Sequence, residues 1–296
     1  LSLVTARKIV FMYKWDAKTA LSLIEKHKVT DMTGVPTMAW EVLEAHKEHP
    51  EIDISSLKGL GSGGAARPPE QLKSQEKEHP DKVATVGYGL TETNAHGTNA
   101  SGPILYERPS TAGFPIPPIT QIKIVGEDGR EVATNEVGEV AIKSTCNFRC
   151  YLKNQDATNE VLDSEGWFRS GDVGCLDQEG FLYIKDRIKD IVIRGGENIA
   201  CLEIEAAIYE HPSVREASVF GIPDERLGEK LAVRISLNPE KTLSQEELSS
   251  FLEKKIAKFK IPELAWFQDE ELPKVAAGKI AKKDMREEAI KELGLN

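Results

Sequence analysis

The sequence predicts an α/β protein in its first third, a β-rich subdomain after it and a compact α+β module at its end. Three observations carry this expectation. Helix and strand signals alternate over residues 1–112, the form taken by a parallel sheet with crossover helices. From Gly113 the texture changes to short strands separated by turn residues, a pattern that continues to residue 188. From Lys189 onward the order is strand, helix, two strands and helix, which fits a small mixed module over residues 189–296.

The elements follow in order. Leu1 falls inside what reads as a continuing element. Asp16 precedes AKTALSLIEKH, whose Ala17, Ala20, Leu21, Ile24 and His27 recur at helical spacing, so an aspartate-capped helix is expected. VTDMTGV suits a buried strand, and Pro36, preset for a first helical turn, opens a second helix over 36–44. Pro68 and Pro69 open the polar helix PEQLKSQEKEH, and KVATV follows as the next strand. In the β-rich part, IKIVGEDGREV carries Asp128-Gly129 as a hairpin signal, and GEVAIKS reads as a strand. In the last module, helices are expected over 202–211 and 244–258, with strands over 217–220 and 230–237.

Composition limits the function classes. With 296 residues, 40% hydrophobic and 29% charged, the chain can bury a real core and divide into about two domains. A formal net charge of -10 opposes a nucleic-acid or anionic-membrane surface, so a small anion would need locally placed cations. No stretch approaches the ~20 apolar residues of a membrane helix, and no signal-like segment opens the chain. Cys146, Cys150, Cys175 and Cys201 form no CxxC pair and lack histidines at zinc-ligand spacing. They are expected to be reduced core thiols, which implies a reducing compartment.

Four glycine-punctuated stretches have both a plain and a chemical reading. GLGSGG, 59–64, has the GxGxxG spacing of a dinucleotide fingerprint, but Ala65-Ala66-Arg67-Pro68-Pro69 follows it and no acidic residue ends a second matching strand. What remains is a loop whose backbone can approach a flat ligand. GYGLTET, 87–93, is a strand-to-helix turn with Thr91 or Thr93 as cap, or a ligand loop. In GWFRSGDVG, Asp172 either starts a turn or accepts both hydroxyls of a ribose. In the plain reading KDRIKDIVIRGGENI is a solvated charged turn leading to a buried strand, and AAGKIAKKDMRE is a glycine turn before a basic helix with Lys279 solvated. The basic run Lys254, Lys255, Lys258 and Lys260 is expected to be a solvated helix face.

Their joint order is more specific than any one of them. TGVPTM, SGGAA, YGLTET, VGEVAIKS, GWFRSGDVG, DRIKDIVIRGGENI, LEIEAAI, HPSVREASVFGIPDERLGE and LPKVAAGKIAK occur in the sequence and at about the intervals found in adenylate-forming enzymes. Over residues 29–286 the chain resembles the acyl-CoA synthetases of that superfamily. The resemblance implies part of the family's large α/β domain over residues 1–188, followed by a small mobile α+β domain over 189–296. It also implies a reaction: a carboxylic acid and ATP give an acyl-adenylate and pyrophosphate, and coenzyme A then displaces AMP to form a thioester. Forming a mixed anhydride brings two anions together, so cations and oriented donors must offset their repulsion.

Residue by residue, the resemblance assigns Lys279 to bridging the carboxylate and the α-phosphate, Thr91 to a phosphate oxygen and Glu92 to a magnesium ion. Tyr88 and Gly89 lie against one side of the adenine, Gly64 and Ala65 on the other. Asp172 takes the ribose hydroxyls, Arg187 the ribose or a phosphate, and Lys189 is the hinge. The Arg194-Gly195-Gly196-Glu197 loop receives the pantetheine arm of coenzyme A in the second step. Val35, Pro36, Thr37 and His96 fall in the acyl pocket, with His96 either polarising a carboxylate or hydrogen-bonding within its loop. Similarity around GYGLTETNAHG tilts the substrate toward medium- or long-chain fatty acids, with aryl acids as the alternative. The resemblance further implies a cytoplasmic protein, with peripheral membrane contact left open.

The family's Ser/Thr/Gly-rich loop for the β- and γ-phosphates is not found within 1–296, and Leu1 aligns with the middle of the large domain. The chain is therefore expected to be a C-terminal fragment, inactive alone and prone to homo-oligomerise through a severed sheet edge. Three other readings share these motifs: a non-catalytic adenylate-binding module, an adenylation domain that loads a carrier protein, and a luciferase-like oxygenase.

Overall fold

The computed structural model describes residues 5–276 and 278–295, so the element expected at Leu1 lies outside the described residues. The chain folds as two compact units, Leu1–Gly89 with Thr98–Gly113, and Leu90–Gly97 with Phe114–Asn296.

The first unit is the expected parallel α/β arrangement. Helix α1 (Ala17–His27) begins where the Asp16 carboxylate accepts the Thr19 N–H at 2.7 Å, and it ends at Lys28 in a left-handed conformation. Strand β1 (Asp31–Gly34) leads to α2 (Pro36–Glu48), which runs four residues beyond the expected end. Val42 and Leu43 bury one face of α2, and the polar continuation to Glu48 remains helical on the solvent side. Strand β2 (Gly59–Gly63), α3 (Pro69–Glu78), β3 (Val83–Tyr88), β4 (Thr98–Ser101) and α4 (Pro103–Glu107) complete the unit. β1, β2 and β3 pair in parallel in that order, and β4 adds antiparallel to β3. Leu21, Ile24, Leu43, Leu57 and Leu60 form the core between α1, α2 and the sheet. Each such aliphatic side chain contributes about 1.5–3 kcal/mol by leaving water.

The GLGSG stretch is a strand, where a loop was expected. A Cβ at Gly59 would meet Asp31 Oδ1 at 2.5 Å, one at Gly61 would meet Thr33 Oγ1 at 2.8 Å, and one at Gly63 would meet the Gly87 carbonyl oxygen at 2.9 Å. Glycine at these three positions gives room to side chains and backbone on neighbouring strands.

The second unit holds the short β5 (Phe114–Pro115) and an antiparallel sheet of β6 (Thr120–Val125), β7 (Gly138–Ser144), β8 (Trp167–Leu176) and β9 (Leu182–Arg187), paired in that order. Helix α5 (Gln155–Val161) is inserted before β8. The turn after β6 is built as expected, with Asp128 Oδ1 accepting the Arg130 N–H and Gly129 at φ 79°.

A three-layer module follows, made of β10 (Val192–Arg194), β11 (Glu197–Ile199), α6 (Cys201–Tyr209), β12 (Val214–Asp224), β13 (Gly228–Leu237), α7 (Gln245–Leu252), β14 (Leu264–Gln268) and α8 (Lys282–Glu292). Alternation along β12 and β13 decides the layers. Val219, Leu231, Val233 and Ile235 face α6 and α7, whereas Phe220, Ile222 and Ala232 face Met285 and Ala289 of α8.

Several expectations change here. The 244–258 helix stops at Leu252, and beyond it the basic run turns back to make ion pairs: Lys255 with Glu210, and Lys260 with Glu203 at 2.7 Å. That run is therefore not a solvated helix face. The 202–211 helix ends at Tyr209, and His211 stacks edge-on against Phe251 outside it. Strand β14 was not expected; its half-buried LAWFQ residues show no clean alternation, and parallel pairing to β13 makes it a strand. Of the four cysteines only Cys201 is a core thiol; Cys150 is exposed, and Cys146 and Cys175 are half-buried. No helix among the described residues is long and apolar enough to cross a membrane.

Candidate active site

In the first unit, three parallel strands present their carboxyl ends on one side, where open α/β sheets place ligands. The register sets Gly34, Ser62 and Val86 abreast. The loops that follow carry the expected residues: Val35 and Pro36 start α2, Gly64 turns at φ 79° with Ala65 exposed after it, and Tyr88 and Gly89 close β3. Thr37 lies in the first turn of α2. The fold thus gathers Val35, Pro36, Thr37, Gly64, Ala65, Tyr88 and Gly89 at one end of one sheet.

In the second unit, the segment after Gly89 forms a short 3₁₀ turn over Thr91–Thr93. Thr93 is the cap: its buried Oγ1 accepts the Leu90 N–H and donates to the Leu90 carbonyl, both at 3.1 Å. Thr91 is left exposed. His96 is also exposed, its Nδ1 lying 2.7 Å from the Asn94 carbonyl oxygen, so it hydrogen-bonds within the loop.

Glu92 is held at two points. Its backbone carbonyl accepts the Phe148 N–H at 2.5 Å, and its Oε1 accepts the Tyr151 hydroxyl at 2.8 Å. Burial, and then the Glu92 carboxylate, push the Tyr151 hydroxyl up to about 12, so it is a neutral donor throughout the physiological range. Among the described residues no group of three His, Cys, Asp or Glu side chains could hold a metal ion. Glu92 thus offers a single carboxylate. That donor set fits magnesium where phosphate and water oxygens complete the shell.

Asp172 and Arg187 lie opposite each other on β8 and β9. Arg187 Nε donates to Asp172 Oδ1 at 3.0 Å, and the Asp172 side chain is 8% exposed against 60% for Arg187. The backbone there is pinned from three directions. Asp172 N–H donates to Ser170 Oγ, Gly171 N–H donates to Glu139 Oε1, and Ile188 N–H donates to the Gly171 carbonyl. Gly171 needs its φ of 73° to make this bend. A buried carboxylate so placed is a strong acceptor for paired hydroxyls, beside an exposed cation.

Lys189 is exposed in the turn after β9, where the Asp190 N–H donates to the Arg187 carbonyl. Gly195 and Gly196, at φ 58° and 90°, form the two-residue turn of the β10–β11 hairpin, and Arg194 is tied to Glu263 at 2.5 Å. Lys279 is exposed in a tight turn closed by the Val275 N–H on the Lys279 carbonyl; Ala277 of the same turn lies outside the described residues. Lys279 makes no hydrogen bond or ion pair with Glu92 among the described residues.

Sequence reasoning missed two groups. Tyr151 lies 59 residues from Glu92 and nothing in its local pattern marks it. The other is a buried ionic cluster: Asp186 on β9 accepts the first N–H of α6 at Cys201, and Lys282 on α8 pairs with Glu205 at 2.9 Å. Burial raises the carboxyls of Asp186 and Glu205 and the Cys201 thiol. Lys282 is held above its ordinary value: burial opposes its charge, and Glu205, Cys201 and Asp186 together more than restore it.

A parallel sheet with loops at its carboxyl end, a buried carboxylate paired to an arginine and a C-terminal α+β module fit an adenylate-forming architecture. The chain belongs to the AMP-binding enzyme family, which matches residues 1–152, and its C-terminal domain family matches residues 203–279. The chain is 36% identical over 281 residues to the long-chain-fatty-acid–CoA ligase of Bacillus subtilis, covering 95% of this chain and 49% of that protein. It is 35% identical to the mitochondrial medium-chain acyl-CoA ligase ACSF2 of Danio rerio, covering 95% and 46% respectively. It is also similar to a solved structure of o-succinylbenzoate coenzyme A synthetase from Bacillus subtilis with ATP and a magnesium ion. That match has a TM-score of 0.82 and 29% identity, over 97% of this chain and 57% of that one. The chain spans about half the length of the curated relatives it matches.

Proposed function

We propose that the chain is the adenosine-handling and domain-alternating part of an ATP-dependent, AMP-forming fatty acid–CoA ligase. The observation that carries this reading is the buried Asp172 carboxylate, braced by Arg187 across two strands, in a chain whose motifs follow the family's order. In this reading Tyr88 and Gly89 line one side of the adenine and Gly64 and Ala65 the other. Asp172 binds the ribose hydroxyls and Arg187 turns toward ribose or phosphate. Thr91 donates to a phosphate oxygen, and Glu92 holds magnesium, which neutralises phosphate charge when bound. Lys279 offsets the charge of the approaching carboxylate and α-phosphate. A turn at Lys189, between residues 1–188 and 189–296, then withdraws Lys279 and brings Arg194, Gly195, Gly196 and Glu197 to coenzyme A. Val35, Pro36, Thr37 and His96 border the acyl group. Two relatives named for medium- and long-chain substrates support the fatty-acid assignment.

The test is calorimetric titration of the chain with non-hydrolysable acyl-sulfamoyl adenosines of graded chain length, beside AMP. Affinity is expected to rise with acyl length, and Asp172→Ala to weaken every ligand about ten- to hundredfold through loss of hydrogen bonds to a charged acceptor. Equal binding by Asp172→Ala would overturn the ribose assignment, and affinity indifferent to acyl length would overturn the fatty-acid assignment.

A further inference from the structure

Glu92 is gripped by a segment far from it in sequence. The grip has two parts, the Phe148 N–H on its carbonyl and the Tyr151 hydroxyl on Oε1 at 2.8 Å. The gripping segment is itself fixed. Phe148 packs tilted on Tyr151 with ring centroids 4.8 Å apart and edge-on against Phe168 at 5.6 Å. The Tyr151 N–H donates to Thr158 Oγ1 on α5 at 3.0 Å, and the Tyr151 carbonyl accepts the Asn154 N–H. The phenol therefore reaches Glu92 from a braced platform and not from a free loop. A carboxylate on a short 3₁₀ turn has three rotatable bonds and no rigid helix to hold it, and a hydrogen bond to one oxygen selects one of its rotamers. Among the described residues no hydrogen bond engages Oε2.

We propose that Tyr151 is a positioning residue for the metal–nucleotide complex: it fixes Glu92 through Oε1 so that Oε2 is presented to a magnesium ion carried by the phosphates of ATP. The inference rests on the reading of Glu92 as the metal carboxylate. Tyr151 touches neither nucleotide nor metal; it acts through Glu92 alone. Its removal therefore affects the magnesium-dependent part of ATP binding and leaves the adenosine side untouched.

The experiment is calorimetric titration of the chain with ATP in excess MgCl₂, with ATP in EDTA and with AMP, for wild type, Tyr151→Phe, Glu92→Gln and the double variant. Tyr151→Phe removes one oxygen and keeps the ring that packs on Phe148. Loss of a hydrogen bond that orients a metal ligand typically costs about ten- to hundredfold in metal affinity. With a single neutral donor lost, Tyr151→Phe is expected to lower the magnesium-dependent gain in ATP affinity about tenfold, with AMP affinity unchanged. Glu92→Gln is expected to abolish most of that gain, and adding Tyr151→Phe to it to change nothing further. An undiminished magnesium gain in Tyr151→Phe, with Glu92→Gln defective, would overturn the positioning role while leaving the Glu92 reading intact. A full magnesium gain in Glu92→Gln, or none in wild type, would overturn the Glu92 reading and the inference with it. Parallel loss of AMP affinity in Tyr151→Phe would show a merely structural tyrosine.

Discussion

Lys282→Met tests whether the buried ionic cluster holds the second unit together. Lys282 Nζ lies 2.9 Å from Glu205 Oε1, with the two side chains 20% and 13% exposed. The same Glu205 oxygen accepts the Val219 N–H from β12 at 2.8 Å. One carboxylate thus ties α6 to α8 and to strand β12, against which both helices pack. Removing one partner of a buried pair usually costs about 3–5 kcal/mol, because the other charge is left uncompensated. Here Glu205 keeps a backbone donor and Lys282 retains some contact with water, so the lower end, about 3 kcal/mol, applies. The pair Glu205→Gln with Lys282→Met removes both members of the ion pair and keeps an acceptor for Val219, while Asp186 keeps its two backbone donors from Arg187 and Cys201, so it should cost only about 1 kcal/mol. Differential scanning calorimetry would read these as shifts of about 6–12 °C and about 2–4 °C. A Lys282→Met protein within about 1 °C of wild type, or a double variant as unstable as the two single losses added, would refute the argument.

Two further outcomes follow from the same structure. Gly63→Ala sets a methyl 2.9 Å from the Gly87 carbonyl oxygen at the carboxyl end of a parallel pair, where the obstacle is backbone and not a flexible side chain. A loss of about 1–3 kcal/mol is expected in urea unfolding, and a stable Gly63→Ala protein would show that the β2–β3 spacing is slack. For pH, burial lowers His79 and His211 below the ordinary 6.5. The unfolded chain then binds more protons than the folded one in the window just below 6.5, so stability is full above that value and falls as pH drops through it. The melting temperature should be lower at pH 5.5 than at pH 7.5, and the gap should narrow in the His79→Gln, His211→Gln double variant; an unchanged gap would assign the acid sensitivity elsewhere.

The elements legible in the sequence are those whose cause is local. Asp16 caps α1 through its own neighbour Thr19, and Gly195-Gly196 forms a two-residue turn because only glycine adopts both positive φ values cheaply. The order of the glycine-punctuated motifs was equally readable, and it agrees with the family matches over residues 1–152 and 203–279. The errors fall where the cause is distant. GLGSG has almost no intrinsic strand preference, and it is a strand because Asp31, Thr33 and the Gly87 carbonyl crowd it from neighbouring strands. The basic run beyond Leu252 had the composition of a solvated helix, but Glu203 and Glu210, more than forty residues earlier, pull it out of helical register. The same divide runs through the candidate site. Asp172 and Glu92 announce themselves by type and context, whereas the groups that aim them, Glu139 on Gly171 and Tyr151 on Glu92, belong to other elements. Positioning is a tertiary property: a carboxylate can be read from one motif, but which of its rotamers is occupied depends on donors that only the fold brings within reach.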